Sequence, residues 1–154
     1  MTSVLIPNEL LAHIRSKAPT SGGHNEQGGL LLGHRKCGAL ELTRATFPSR
    51  WDHATPTLFK RSQRGHRISA LREWVRSGQT VDWLGEWHTH PGGIARPSFT
   101  DLESWRLLAR QSKQPMTFII FDNISIYVGL QVVNKAMVKP LRLAERDQSH
   151  FLYS

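Results

Sequence analysis

Apolar residues recur along this chain with two different periods, and the alternation between them predicts its elements. The stretch PNELLAHIRSKAP (7–19) places Leu10, Leu11 and Ile14 on one helical face, with Asn8 as the cap and Pro19 as the stop. GGLLLGHRK (28–36) and ALELTRATF (39–47) read as two strands joined through Cys37 and Gly38. Residues 47–62 have no clear period, contain Pro48 and Pro56, and read mostly as loop. GHRISALREWVRSG repeats apolar residues at Ile68, Leu71, Trp74 and Val75, a helical stripe that ends at Gly78. VDWLGEWHTH reads as a strand, and SFTDLESWRLLARQ as a helix with Leu102, Trp105, Leu108 and Ala109 turned inward. MTFIIF and ISIYVGL flank Asp122 and Asn123 as a hairpin, with Ile124, Ile126, Val128 and Leu130 expected on one buried face. A last strand is expected within 132–140, and the polar residues after Glu145 carry no pattern from which to assign or exclude an element. The pattern predicts one α+β domain without repeats.

Composition narrows the class. At 154 residues, 39% hydrophobic and 21% charged, the chain reads as a globular domain large enough to bury a core. Its apolar runs are too short to cross a bilayer. The N-terminus lacks the basic and apolar regions of a signal peptide, so a cytoplasmic location is the expectation. A single cysteine, Cys37, leaves no intramolecular disulfide and no cysteine-based zinc site. The net charge of +8 is densest between Arg44 and Arg76, where Arg50, Lys60, Arg61, Arg64, Arg67 and Arg72 also lie. No zinc finger or RNA-stacking motif accompanies that charge, which points to an acidic partner surface without selecting one.

The chemistry concentrates in GEWHTHPGGIARPSFTD (85–101). His88 and His90 lie two apart in a strand, so their imidazoles share a face and can grip one cation. Asp101 follows after a turn through Pro91, Gly92 and Gly93, at the start of the next helix. Two imidazoles and a carboxylate suit zinc and leave a fourth position for water. The same residues have a purely structural reading. Ser98 and Asp101 form the S-x-x-D pattern of a helix cap, and Thr100 with Glu103 repeats it two residues later. Glu26, ahead of a double glycine and an apolar strand, is equally readable as a loop carboxylate.

Taken together, Glu26 followed by GGLLLG, then HTHP, Ser98 and Asp101, resemble the JAMM (JAB1/MPN/Mov34) metalloproteases. The pattern of that family is a distant Glu, then His-x-His, ten residues and Asp, with Ser three before the Asp. The resemblance spans roughly residues 4 to 131. It implies a single MPN-like (cytidine-deaminase-like) domain over 1–154, with a mixed β-sheet flanked by helices. An insertion loop falls at about 47–64 and a C-terminal tail at about 145–154. It further implies one zinc ion held by His88, His90 and Asp101, with Glu26 moving a proton between water and leaving amine. Ser98 then donates a hydrogen bond to the oxyanion. Glu86 shares the strand parity of the histidines and is expected beside the site or at the surface, while Trp87 points the other way into the core.

GEWHTHP followed by P-S-x-x-D is similar to the bacterial isopeptidases of CBASS-type antiphage operons, which stand beside E1/E2-like proteins. On that resemblance the substrate is a protein with an extended C-terminal tail, a conjugate of a cGAS-like nucleotidyltransferase. Trp51, Phe59 and the nearby basic residues would clamp that tail, with His53 and His66 as further candidates; a solvated loop is the alternative. The basic charge keeps a second function class open, a metal-dependent nuclease or other hydrolase acting on an acidic substrate. A third, a non-catalytic MPN scaffold, ranks below both because Glu26, His88, His90 and Asp101 are all present. No membrane partner is expected.

Overall fold

A computed structural model describes residues 3–47, 53–55, 58–60, 72 and 74–154, with the backbone alone at 53–55 and 58–60. The apolar run Met116–Phe121 forms β7, and all six of its residues are buried. Such a strand needs cover on both faces, and two helices supply it. α1 (Asn8–Lys17) lays Leu10, Leu11 and Ile14 over one face, where they meet Ile119 and Phe121. α2 (Phe99–Ser112) lays Trp105 over the other, against Met116, Phe118 and Ile120. Trp105 stacks on Phe118 with ring centroids 4.5 Å apart.

The remaining strands are β1 (Ser3–Pro7), β2 (Gly28–Lys36), β3 (Ala39–Ala45), β4 (His53–Thr55), β5 (Leu58–Lys60), β6 (Asp82–Thr89), β8 (Ile126–Gln131), β9 (Lys139–Leu141), β10 (Leu143–Arg146) and β11 (His150–Tyr153). Nine of the strands form one sheet in the order β10-β11-β1-β3-β2-β6-β7-β8-β9, and β4 pairs with β5 separately. The sheet is mixed: β6 runs parallel to β7 and β1 parallel to β3, while β2 runs antiparallel to both β3 and β6. This is the expected α+β architecture. No helix among the described residues is long and apolar enough to cross a membrane.

Several expectations need correction. Asn8 does not cap α1: the chain arrives from β1, Pro7 holds the extended cap conformation (φ −61°, ψ 136°), and Asn8 is already helical. The Asn8 N–H donates instead to the Ser149 carbonyl at 2.8 Å. Residues 47–62, read mostly as loop, include the β4–β5 hairpin. Ile124 lies in the turn before β8 and is 90% exposed, so only Ile126, Val128 and Leu130 of the proposed face pack inward. The strand expected within 132–140 begins only at Lys139. The polar C-terminal segment, for which the sequence pattern supports no assignment, contributes β11, which pairs antiparallel with β1, and β10 on the sheet edge. Of the helical stripe that ends at Gly78, Arg72 and 74–76 are helical, and both Trp74 and Val75 are exposed. Ile68, Leu71, Trp51, His66, Arg50, Arg61, Arg64 and Arg67 lie outside the described residues, as do the side chains of His53, Phe59 and Lys60.

Candidate metal centre

Glu26 reaches the site through long-range strand pairing. β2 and β6 run antiparallel with Gly28 opposite His88. One step before that pair, Gln27 and Thr89 exchange backbone and side-chain hydrogen bonds, which sets Glu26 beside the two histidines. Gly29 is required here for space: a Cβ would lie 2.1 Å from the Thr46 carbonyl oxygen and 2.9 Å from Trp87 Nε1. Those two groups are themselves hydrogen-bonded at 3.0 Å, and Trp87 is fully buried as expected.

His88 ends up on the α2 face, its ring 6.0 Å from that of Trp105, and His90 follows immediately after the strand. The loop beyond turns at Gly92 in the left-handed region (φ 69°), where a Cβ would sit 3.0 Å from Gly22 Cα. Ser98 then caps α2. Its hydroxyl oxygen accepts from the Asp101 N–H at 3.1 Å, while its own N–H donates to Asp101 Oδ2 at 2.8 Å. The structural reading of Asp101 therefore holds, and the capping box leaves its carboxylate compatible with the metal reading as well. Thr100 with Glu103 does not form the cap.

One ligand atom from each of Glu26, His88, His90 and Asp101 lies within 4.8 Å of all the others. His88 Nε2 and His90 Nε2 are 3.1 Å apart. Asp101 places Oδ1 3.3 Å from His88 Nε2 and Oδ2 3.5 Å from His90 Nε2. Donors arranged tetrahedrally around a zinc ion at its usual bond lengths are about 3.3 Å apart, so these three side chains fit. Glu26 Oε1 stands farther off, 3.9 Å from His88 Nε2. His90 Nδ1 is 2.9 Å from the Ile94 carbonyl, which can only accept, so Nδ1 carries a proton, and loss of the Nε2 proton that Asp101 accepts would turn a lone pair on Nε2 toward the cluster.

The electrostatics agree with that division. Burial pushes the Glu26 carboxyl above its ordinary value, against the opposing pull of His88 and His90. Burial acts on Asp101 in the same sense, but hydrogen bonds from His88 and His90 outweigh it and hold the carboxyl far below its usual range. The Asp101 hydrogen bond raises His90, with burial opposing it.

Thus the structure brings Glu26, His88, His90 and Asp101 together and places Ser98 at the start of α2 beside Asp101. Glu86, half-buried, lies outside the four-residue group. Cys37 is exposed at the β2–β3 turn. Sequence reading missed Asp122, taken only as a turn residue. Its carboxylate accepts from the N–H groups of Ala95, Ile124 and Ser125 and from the Ser125 hydroxyl, tying the loop after His90 to the β7–β8 turn. The only signal was Asp followed by Ser three residues on, which many turns share.

Fold and donor set together define an α+β protein with a candidate mononuclear metal centre. The chain belongs to the prokaryotic homologs of the JAB domain, whose family model matches residues 7–137. A Pseudomonas aeruginosa (strain BWHPSA011 / Pa011) protein named CD-NTase/cGAS isopeptidase is 36% identical over 122 residues, covering 78% of this chain and 77% of that protein. An Escherichia coli (strain TW11681) protein of the same name is 30% identical over 131 residues, covering 85% and 83%. The solution structure of protein DSY2949 from Desulfitobacterium hafniense shares the fold, with a TM-score of 0.63 at 22% identity over 88% of this chain and 87% of that one.

Proposed function

We propose that this chain is a cytoplasmic zinc-dependent isopeptidase or peptidase. It hydrolyses an amide bond at the C-terminus of a conjugated protein, a cGAS-like nucleotidyltransferase, in bacterial antiphage defence beside E1/E2-like partners. The observation that carries the reading is the graded spacing of the cluster. Three side chains approach one another to 3.1 to 3.5 Å, and the carboxylate with the raised pKa stands one step outside them. The names of the relatives support the substrate class.

His88, His90 and Asp101 would hold the ion, which supplies Lewis acidity to the attacking water and the scissile carbonyl. Glu26, its proton affinity raised by burial, accepts the proton that water loses as its oxygen bonds to the carbonyl carbon. It then delivers that proton to the leaving amine as the C–N bond breaks. The Ser98 hydroxyl accepts in the cap and keeps its own proton to donate to the oxyanion. The insertion at about 47–64 receives the extended tail of the substrate.

The deciding assay incubates the protein with a defined C-terminal conjugate and, in parallel, with nucleic acid, each with and without chelator. Release of the conjugate, stopped by chelator and absent in His88→Ala, is expected. Strand cleavage without conjugate release would replace this reading with the nuclease alternative.

A further inference from the structure

The Ile94–Ala95 peptide unit is hydrogen-bonded at both ends. Its carbonyl accepts from His90 Nδ1 at 2.9 Å, and its N–H donates to Asp122 Oδ2 at 2.9 Å. We propose that Asp122 is a positioning residue for the metal centre, acting on His90 through this single peptide. A carboxylate on the amide N–H polarises the unit and makes the Ile94 carbonyl a stronger acceptor. The stronger acceptor fixes the His90 tautomer and raises the donor strength of Nε2, as a directly bonded carboxylate does for other metal-ligating histidines. Here the carboxylate works at one remove.

The surroundings hold Asp122 in place for that task. It is buried. Oδ2 also accepts from the Ser125 hydroxyl at 2.7 Å, and Oδ1 accepts from the Ile124 and Ser125 N–H groups at 2.9 and 2.5 Å. These four donors overcome the upward push of burial and hold the carboxyl at about 2, so it is ionised at neutral pH. Arg15 braces the same turn from α1, donating to the carbonyls of Asp122 at 2.8 Å and Ser125 at 2.9 Å. Neither Arg15 bond touches the carboxylate. Stability of the turn and polarisation of the peptide can therefore be separated by mutation. A second tether, from the His90 N–H to the Phe121 carbonyl at 2.9 Å, keeps the backbone of His90 on β7 whatever happens at Asp122.

This inference rests on the metal reading of the site, and its test reads metal binding rather than turnover. Zinc affinity is measured by chelator competition on the wild-type protein, Asp122→Asn and Arg15→Met, with melting temperatures alongside. Asp122→Asn is expected to bind zinc about tenfold more weakly, at the lower end of what removal of an outer partner costs. Arg15→Met is expected to melt earlier with unchanged affinity. Wild-type affinity in Asp122→Asn, or an equal loss in Arg15→Met, overturns the proposal. A second measurement on the wild-type protein holds whether or not the variants fold. Zinc saturation should move the Ala95 amide proton downfield, because the His90 Nδ1–H becomes a stronger donor. The Ile124 amide, on the other oxygen of the same carboxylate, should move less. Equal movement, or none at Ala95, overturns the proposal. Wild-type protein that takes up no zinc instead overturns the metal centre itself, a failure distinguishable from the others.

Discussion

Gln27 and Thr89 are joined by two short hydrogen bonds: the Gln27 N–H donates to Thr89 Oγ1 at 3.0 Å, and the Thr89 N–H donates to the Gln27 carbonyl at 2.8 Å. Thr89 sits between the two histidines, and Gln27 follows Glu26. The pair thus couples the Glu26 side of the candidate site to the histidine side, and the Thr89 side chain is fully buried. Thr89→Val removes the hydroxyl at nearly constant volume and strands the Gln27 N–H, at about 1–3 kcal/mol. The melting temperature should fall, by roughly 2–4 °C per kcal/mol in a domain of this size. Turnover should fall about tenfold or more, since small misplacements of a catalytic group are costly, while zinc content holds. Equal loss of zinc and turnover would show that the staple positions the histidines instead.

Glu26 offers the sharpest division between holding an ion and moving a proton. Its oxygen lies 3.9 Å from His88 Nε2, beyond the 3.1 to 3.5 Å spacing of the other three side chains. Glu26→Gln and Glu26→Ala should therefore keep one zinc per chain by elemental analysis. Hydrolysis should drop by about 10²–10⁴, the usual worth of a positioned acid–base group. Full turnover in either variant would remove Glu26 from the mechanism. Loss of the ion would make it a fourth ligand.

How far the sequence revealed this site depends on the range of the interaction that builds each part. His88 and His90 were legible because the period-2 rule is local, and Asp101 because S-x-x-D is a local signal that the capping box realises. Glu26 was not legible from spacing. It joins the site through β2–β6 pairing across sixty-odd residues, and only the family resemblance pointed to it. The Asn8 misreading has a related cause: a local capping signal lost to the chain direction set by β1. The β11 strand was invisible because its four residues are all half-buried, so no alternation marks them. Asp122 was missed because its partner Ala95 lies across the fold.

The hydrogen bonds to Asp122 also make a prediction about acid. Its carboxyl is held at about 2 in the folded chain, below the value of about 3.9 for an unfolded one. A depressed carboxyl contributes stability that is fully present above the unfolded pKa and is lost as pH falls through the folded one. Asp122→Asn should therefore be less stable than wild type at neutral pH, and the gap should narrow between about pH 4 and pH 2. Urea denaturation of both proteins across that range measures the gap directly, since carboxyls common to the two cancel. A gap independent of pH would mean that shape, not charge, holds the turn.

Ser98 carries two roles that one substitution confuses and two can separate. Its hydroxyl oxygen accepts the Asp101 N–H in the cap, and its proton is the proposed oxyanion donor. Ser98→Ala loses both, costing about 1 kcal/mol as a cap and about 10²–10³ in kcat as a donor. Ser98→Gly is different, because glycine at an N-cap costs only a few tenths of a kcal/mol relative to serine. The Ser98 N–H bond to Asp101 Oδ2 at 2.8 Å is a backbone bond that survives in both variants. Ser98→Gly should therefore melt close to wild type, keep its zinc, and still lose kcat by about 10²–10³. If kcat instead follows stability, falling in Ser98→Ala and recovering in Ser98→Gly, the hydroxyl only caps α2. Oxyanion stabilisation must then come from elsewhere in the site.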